Sequence, residues 1–251
     1  MNKKNSILLL TSVFLLASCS GGSADINDSV ITVGASSTPH AIILEHARSY
    51  IEEKGYTLDI KVMTDYVTPN ISLDDGDLDA NYFQHEPYLY DFNLNHGTDL
   101  VSVAKIHFEP MGVYRGSANN GKIIIPNDKS NGDRAKELLK TLSALLMFSD
   151  KDFTIVEMEA QSIPMMMDDC SYACINGNYA LESKVFEKYT CVTSESIDSK
   201  VAITNANVIA VKRGNETAQA IRVLVAALTT NDMYLRHFIS KSFQCIFENI
   251  S

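Results

Sequence analysis

The chain is 251 residues long and carries 31 Asp and Glu against 21 Lys and Arg, a formal net charge of −10. It has no basic stripe to neutralise phosphates, which excludes nucleic acid as a partner. After the first 20 residues no apolar run is long enough to cross a bilayer as a helix. The remaining length suits one compact unit or two lobes of about 100 residues each.

Residues 1–18 read as a signal peptide. Lys3 and Lys4 make a positive start, and Ile7 to Leu16 is an apolar run shorter than the ~20 residues a spanning helix needs. The run closes on Leu16-Ala17-Ser18-Cys19, which resembles the bacterial lipobox. That resemblance implies cleavage before Cys19 and acylation of its thiol by palmitate or a similar chain. Residues 19–29 are polar, with Gly and Ser, and read as a lipidated tether. Two acyl chains hold a protein on a membrane where one does not. The expected location is therefore the cell envelope, lipid-anchored to a bacterial membrane and facing the extracytoplasmic space. Export permits disulfides, yet Cys170, Cys174, Cys191 and Cys245 contain no C-x-x-C pair and are expected to stay unpaired.

Along the mature chain, Ile31 to Gly34 reads as a buried strand. Thr38-Pro39 then supplies an N-cap and a first-turn proline for a helix carrying Ile43, Leu44, Ala47 and Ile51, stopped by Gly55. Leu58, Ile60 and Val62 alternate as a second strand, and a strand-helix-strand unit predicts parallel pairing. A helix from Thr68-Pro69 to Gly76, a strand from Leu78 to Tyr82, a helix from Pro87 to Asn95 closed by Gly97, and a strand from Leu100 to Ile106 follow. The chain is expected to enter a second lobe near Met111 to Tyr114. That lobe comprises strand Ile123 to Ile125, a helix from about Arg134 to Met147, strand Thr154 to Met158, a helix around Met165 and strand Tyr172 to Ile175. Return near Ile203 leads to strand Val208 to Val211 and helices Glu216 to Leu228 and Asn231 to Phe243. The fold class is α/β with open sheets. One lobe is expected from residues 30–112 plus 205–251 and the other from 113–204, joined by crossover strands around a ligand cleft.

Several blocks resemble the methionine-binding lipoprotein family of NlpA/MetQ type, within the type II periplasmic solute-binding proteins. They include Val33-Gly34-Ala35 with Pro39-His40, Thr64 to Asn70, Gly76-Asp77-Leu78-Asp79-Ala80-Asn81-Tyr82-Phe83-Gln84-His85 continuing into Pro87-Tyr88-Leu89, Glu109-Pro110-Met111-Gly112, Ile175 to Ala180, and Ala206-Asn207-Val208-Ile209. The resemblance runs in order from about Ile31 to the last helices. It implies a two-lobed, periplasmic-binding-protein-like fold and capture of a free amino acid, most often methionine, for an ABC transporter permease with its ATPase. Two departures stand out: Ser149 to Phe153 is a short bridge where the family carries an insert, and Ile203-Thr204-Asn205 replaces a Ser-Pro-Tyr-like run.

The candidate ligand-binding residues are Tyr66, Phe83, His85, Tyr88, Arg134, Asn178 and Asn207. An arginine fork near a helix N-terminus suits a carboxylate, although Arg134 taken alone reads first as a surface partner of Glu137 or Asp133. The resemblance places the family's carboxylate arginine in this segment. Tyr66, Phe83 and Tyr88 fall at strand ends or helix starts, and aromatic walls suit a thioether; core packing is the alternative. His85 reads as a hydrogen-bonding residue. As a metal ligand it would need His40, His107 or Glu109, and none stands at tight metal spacing, so no residue is assigned to a metal and no cofactor is implied. Asn178 and Asn207 offer amide donors and acceptors, with Asn176 assigned to a turn and Glu109 to the ligand ammonium.

No Gly-x-Ser-x-Gly or H-E-x-x-H motif occurs, and Asp74-Asp75 and Asp168-Asp169 read as solvated loops, so the chain is not expected to be an enzyme. A dipeptide or a transition-metal ion is the alternative cargo, and an extracytoplasmic hydrolase the more distant one.

Overall fold

A computed structural model describes residues 29–146, 153–197 and 200–229. Cys19 with its tether, Cys245 and the helix expected from Asn231 to Phe243 lie outside these residues. The chain builds two five-stranded mixed sheets, each flanked by helices.

In the first sheet, β1 (Val30–Ala35) pairs in parallel with both β2 (Thr57–Val62) and β3 (Ala80–His85). β10 (Ala206–Lys212) inserts antiparallel between β3 and β4 (Leu100–Phe108), giving the order β2-β1-β3-β10-β4. The second sheet contains β5 (Gly112–Arg115), β6 (Lys122–Pro126), β7 (Thr154–Met158), β8 (Tyr172–Ile175) and β9 (Cys191–Ser194), ordered β7-β6-β8-β5-β9. Here too the three strands at one side are parallel, and β5 runs antiparallel to both neighbours. The chain crosses between sheets twice, from β4 to β5 and from β9 to β10.

The parallel pairing of β1 and β2 follows from the helix between them, α1 (Ile42–Glu53), whose Ile43, Leu44, Ala47 and Ile51 are buried against β1 and α8 (Gln219–Thr229). The expected N-cap is not formed. Thr38 is extended (φ −137°, ψ 132°), as a residue before proline tends to be, and α1 begins without a side-chain cap. α2 (Thr68–Asp75) and α3 (Glu86–His96) end on Gly76 and Gly97, both left-handed, where a residue without Cβ is favoured.

All six residues of β3 are buried, including Asn81, Gln84 and His85. Burial of these amides is offset by a closed network. The Asn70 and Gln84 side chains exchange bonds of 2.8 and 2.6 Å, while Asn81 donates to Asn70 Oδ1 at 2.8 Å and to the Pro69 carbonyl. Satisfied internally, the network ties α2 to the sheet at low cost.

α4 (Lys129–Leu146) starts five residues before the position the sequence suggests. Asp128 supplies the reason: its carboxylate accepts from the Asn131 backbone N–H (2.9 Å) and the Ser130 hydroxyl (3.0 Å), which is N-capping chemistry. The segment around Met165 is a 3-10 helix over Ala160–Asp169 rather than an α-helix. After β8 come α5 (Gly177–Glu182) and α6 (Val185–Lys188), and α7 (Lys200–Thr204) precedes β10. Strand β9 is an element that the sequence pattern does not reveal. Cys170, Cys174 and Cys191 are buried free thiols.

Candidate functional site

Both sheets direct strand ends and helix starts at one narrow cavity, lined among others by Tyr66, Phe83, His85, Tyr88, Arg134, Asn178 and Asn207. All seven sequence candidates therefore face a single space. Gln84, Glu109, Asn131, Asn176, Gly177 and Asn205 complete the lining.

The aromatic wall comes from the first sheet's side. Tyr66 sits 5.8 Å, centroid to centroid, from both Phe83 and Tyr88, and 4.9 Å from Tyr179 of α5. These are the offset and edge contacts that aromatic rings favour. The Tyr66 hydroxyl donates to Asn178 Oδ1 at 2.7 Å, and the Tyr179 hydroxyl donates to the Thr64 carbonyl at 3.1 Å. Burial raises the Tyr66 phenol well above its ordinary pKa, so it remains a donor.

His85 ends β3 and caps α3. Its Nδ1 accepts from the Tyr88 backbone N–H at 3.2 Å, which places the ring proton on Nε2, facing Asn131 Oδ1 at 3.1 Å. Burial, with Arg134 adding to it, holds the His85 pKa down to about 3. The ring is neutral, as its acceptor role at Nδ1 requires.

Asn131 is the residue that sequence reasoning missed. Its Oδ1 receives three donors, from His85, Arg134 (3.1 Å) and Asn176 (2.8 Å), while its Nδ2 donates to Asp128. The signal was present as Pro126-Asn127-Asp128 with an acidic cap, but Asn131-Gly132 reads as loop.

Arg134 pairs with neither Glu137 nor Asp133, which bond instead to Lys140 and Lys129. Nor is it at the helix N-terminus; it lies in the second turn of α4. Its fork grips Glu195, with Nε at 3.0 Å from Oε1 and Nη2 at 2.6 Å from Oε2. Nη2 also donates to the Glu109 carbonyl and Nη1 to Asn131. Four of five N–H groups are committed within the protein, leaving one on Nη1.

Two more polar atoms in this lining are buried without a partner: the donor Asn178 Nδ2 and the acceptor Asn176 Oδ1. Asn176 is thus more than a turn residue. Orphaned buried amides are rare in folded proteins, and these two, of opposite polarity, belong to one cavity lining.

The sequence matches the NlpA lipoprotein family over residues 31–247. The chain belongs to that family. Among its relatives, the methionine-binding lipoprotein MetQ of Bacillus subtilis is 31% identical over 94% of each chain. As an NlpA-family fold the chain superposes on a lipoprotein from Ruminococcus gnavus with a TM-score of 0.78, at 38% identity, covering 87% of this chain and 98% of that one. A nutrient binding protein from Burkholderia cenocepacia, solved bound to methionine, gives 0.75 at 30% identity over 85% and 97%. The family's two-lobed α/β binding-protein fold is the one described above; the Bacillus relative is named a methionine-binding lipoprotein and the Burkholderia neighbour a nutrient binding protein, neither of them an enzyme.

Proposed function

We propose that this chain is the lipid-anchored, substrate-binding component of an ABC importer and that its cargo is a free amino acid, methionine first. The observation that carries the reading is the pairing of Asn178 Nδ2 and Asn176 Oδ1, with the remaining Arg134 N–H, beside the Tyr66–Phe83–Tyr88 wall. The amide donor and the Nη1 N–H take the cargo carboxylate. The amide acceptor, with Glu109 in the same lining, takes the ammonium, and the rings enclose the apolar tail.

Arg134 acts here in a narrower role than a bidentate receptor. Glu195 already fills its fork, so the cargo carboxylate meets a single guanidinium N–H and amide groups supply the rest. Methionine-binding relatives and a methionine-bound neighbour support the assignment. Cargo bridging the lobes selects the closed arrangement, which the permease then recognises, while acylated Cys19 keeps the protein at the membrane.

Mass spectrometry of the solute that co-purifies with the full chain, followed by calorimetry with the emptied protein, tests this. Methionine in the purified protein and saturable binding of it are expected. A dipeptide recovered instead, or no heat with any free amino acid, would overturn the assignment.

A further inference from the structure

Behind the cavity wall, in the first lobe, three side chains far apart in sequence meet. His40 precedes α1, His107 lies on β4, and Glu109 follows β4 on the crossing between sheets. All three are buried, and one potential ligand atom from each lies within 4.8 Å of the others. Glu109 Oε1 stands 2.8 Å from His107 Nε2 and 3.2 Å from His40 Nε2. Ligand atoms about 2.0–2.1 Å from a tetrahedral zinc ion are about 3.3 Å apart, so the two measured separations need little adjustment.

His40 supplies the second observation. Its ring is wholly buried, yet neither nitrogen has a hydrogen-bond partner; Nε2 is near Glu109 but not aimed at it. A buried imidazole left in this state calls for an explanation, and a bound ion is one of the few that chemistry offers. Two ligands of one ion point at the ion and lie beside each other, which is the relation His40 bears to Glu109. His107 has the outer support that ligating imidazoles require, because its Nδ1 is hydrogen-bonded to the Tyr82 hydroxyl.

We propose that His40, His107 and Glu109 form a binding site for a divalent transition-metal ion of zinc type. Two imidazoles and one carboxylate are the donor set that borderline ions such as zinc favour, and they leave a fourth position open. Glu109 also lines the cargo cavity, which gives the ion its way in. To ligate through Nε2, His107 takes the tautomer protonated on Nδ1, which donates to the Tyr82 oxygen while the Tyr82 hydroxyl hydrogen rotates away from the ring. Glu109 is shared with the cargo cavity, so ion and cargo ammonium compete for its carboxylate, but an ion held in the first lobe needs neither cargo nor closure of the cleft.

The test is a titration of tag-free, chelator-treated full chain with Co²⁺ and then Zn²⁺, in the absence of methionine. The expected result is one Co²⁺ per chain, visible d–d absorption of a low-coordinate site, and displacement by an equivalent of Zn²⁺. His40→Ala and His107→Ala should each weaken binding at least tenfold, and His46→Ala and His96→Ala should leave it unchanged. Circular dichroism checks that each variant is folded, and His40→Gln replaces His40→Ala if the latter is not. Absence of stoichiometric binding to the unmutated chain overturns the proposal by itself, as does binding that survives the loss of His40.

Discussion

Arg134 and Glu195 form a two-point ion pair that fastens the second lobe to both chain crossings. Glu195 lies just beyond β9, where the chain leaves the second sheet, and its Oε2 also accepts from the Met111 backbone N–H at 2.8 Å. Arg134 in turn donates to the carbonyl of Glu109 on the other crossing. Both side chains are nearly excluded from solvent, at 9% and 7% exposure. Removing one partner strands a buried charge, a loss of about 3–5 kcal/mol. Glu195→Ala should lower unfolding free energy by that order in urea titrations. Arg134→Met combined with Glu195→Leu should recover much of it, because replacing both ends by apolar groups removes the desolvation cost as well.

The Tyr66 hydroxyl to Asn178 bond joins the two sides of the cavity. Tyr66→Phe keeps the ring and deletes the bond, leaving Asn178 Oδ1 buried without a donor. A loss of about 1 kcal/mol is expected, read in calorimetry as roughly five- to tenfold weaker cargo binding. An affinity equal to that of the unmutated protein would show that the bond does not take part in closure.

His85 makes stability depend on pH in a definite direction. An unfolded imidazole protonates below about 6.5, whereas the buried ring stays neutral down to about 3. Between these values the unfolded chain binds more protons, so stability is full above about 6.5 and falls as pH drops toward 3. The slope is up to about 1.4 kcal/mol per pH unit. His85→Asn retains an N-capping acceptor and lacks the titration. Its unfolding free energy should therefore vary less steeply over that window, by about one bound proton.

Gly76 closes α2 at φ +87°, and nothing lies within 4 Å of the place a Cβ would take. Crowding is not at issue there, so Gly76→Ala isolates backbone strain. A destabilisation of about 1 kcal/mol is expected, with cargo affinity unchanged.

Much of this is legible in the sequence, for reasons that can be named. Gly76 and Gly97 mark two helix ends because left-handed caps favour glycine, and the parallel β1–β2 pair follows from the intervening helix. Local pattern fails where polar residues are buried. Gln84 and His85 look like the end of a strand, so the sequence points to Leu78 to Tyr82 for β3 rather than Ala80–His85. The Asn81 and Gln84 amides are in fact satisfied by Asn70, and His85 meets Asn131, partners that only the fold brings near. Lys129 to Asp133 reads as a loop because of Gly132, which hides both the start of α4 and the role of Asn131. The seven candidates converge on one cavity, but the occupant of the Arg134 fork, 61 residues away in sequence, is invisible to any local pattern.

The two sheets share one strand order, with β10 and β5 in equivalent antiparallel slots. Each lobe therefore owes one inner strand to a segment that has just arrived from its neighbour. Losing β10 would strip a central ladder of the first sheet rather than detach a peripheral tail. A cut at either junction leaves β5 to β9 on one fragment and parts β10 from β1 to β4, so the first core depends on the chain's return while the second does not.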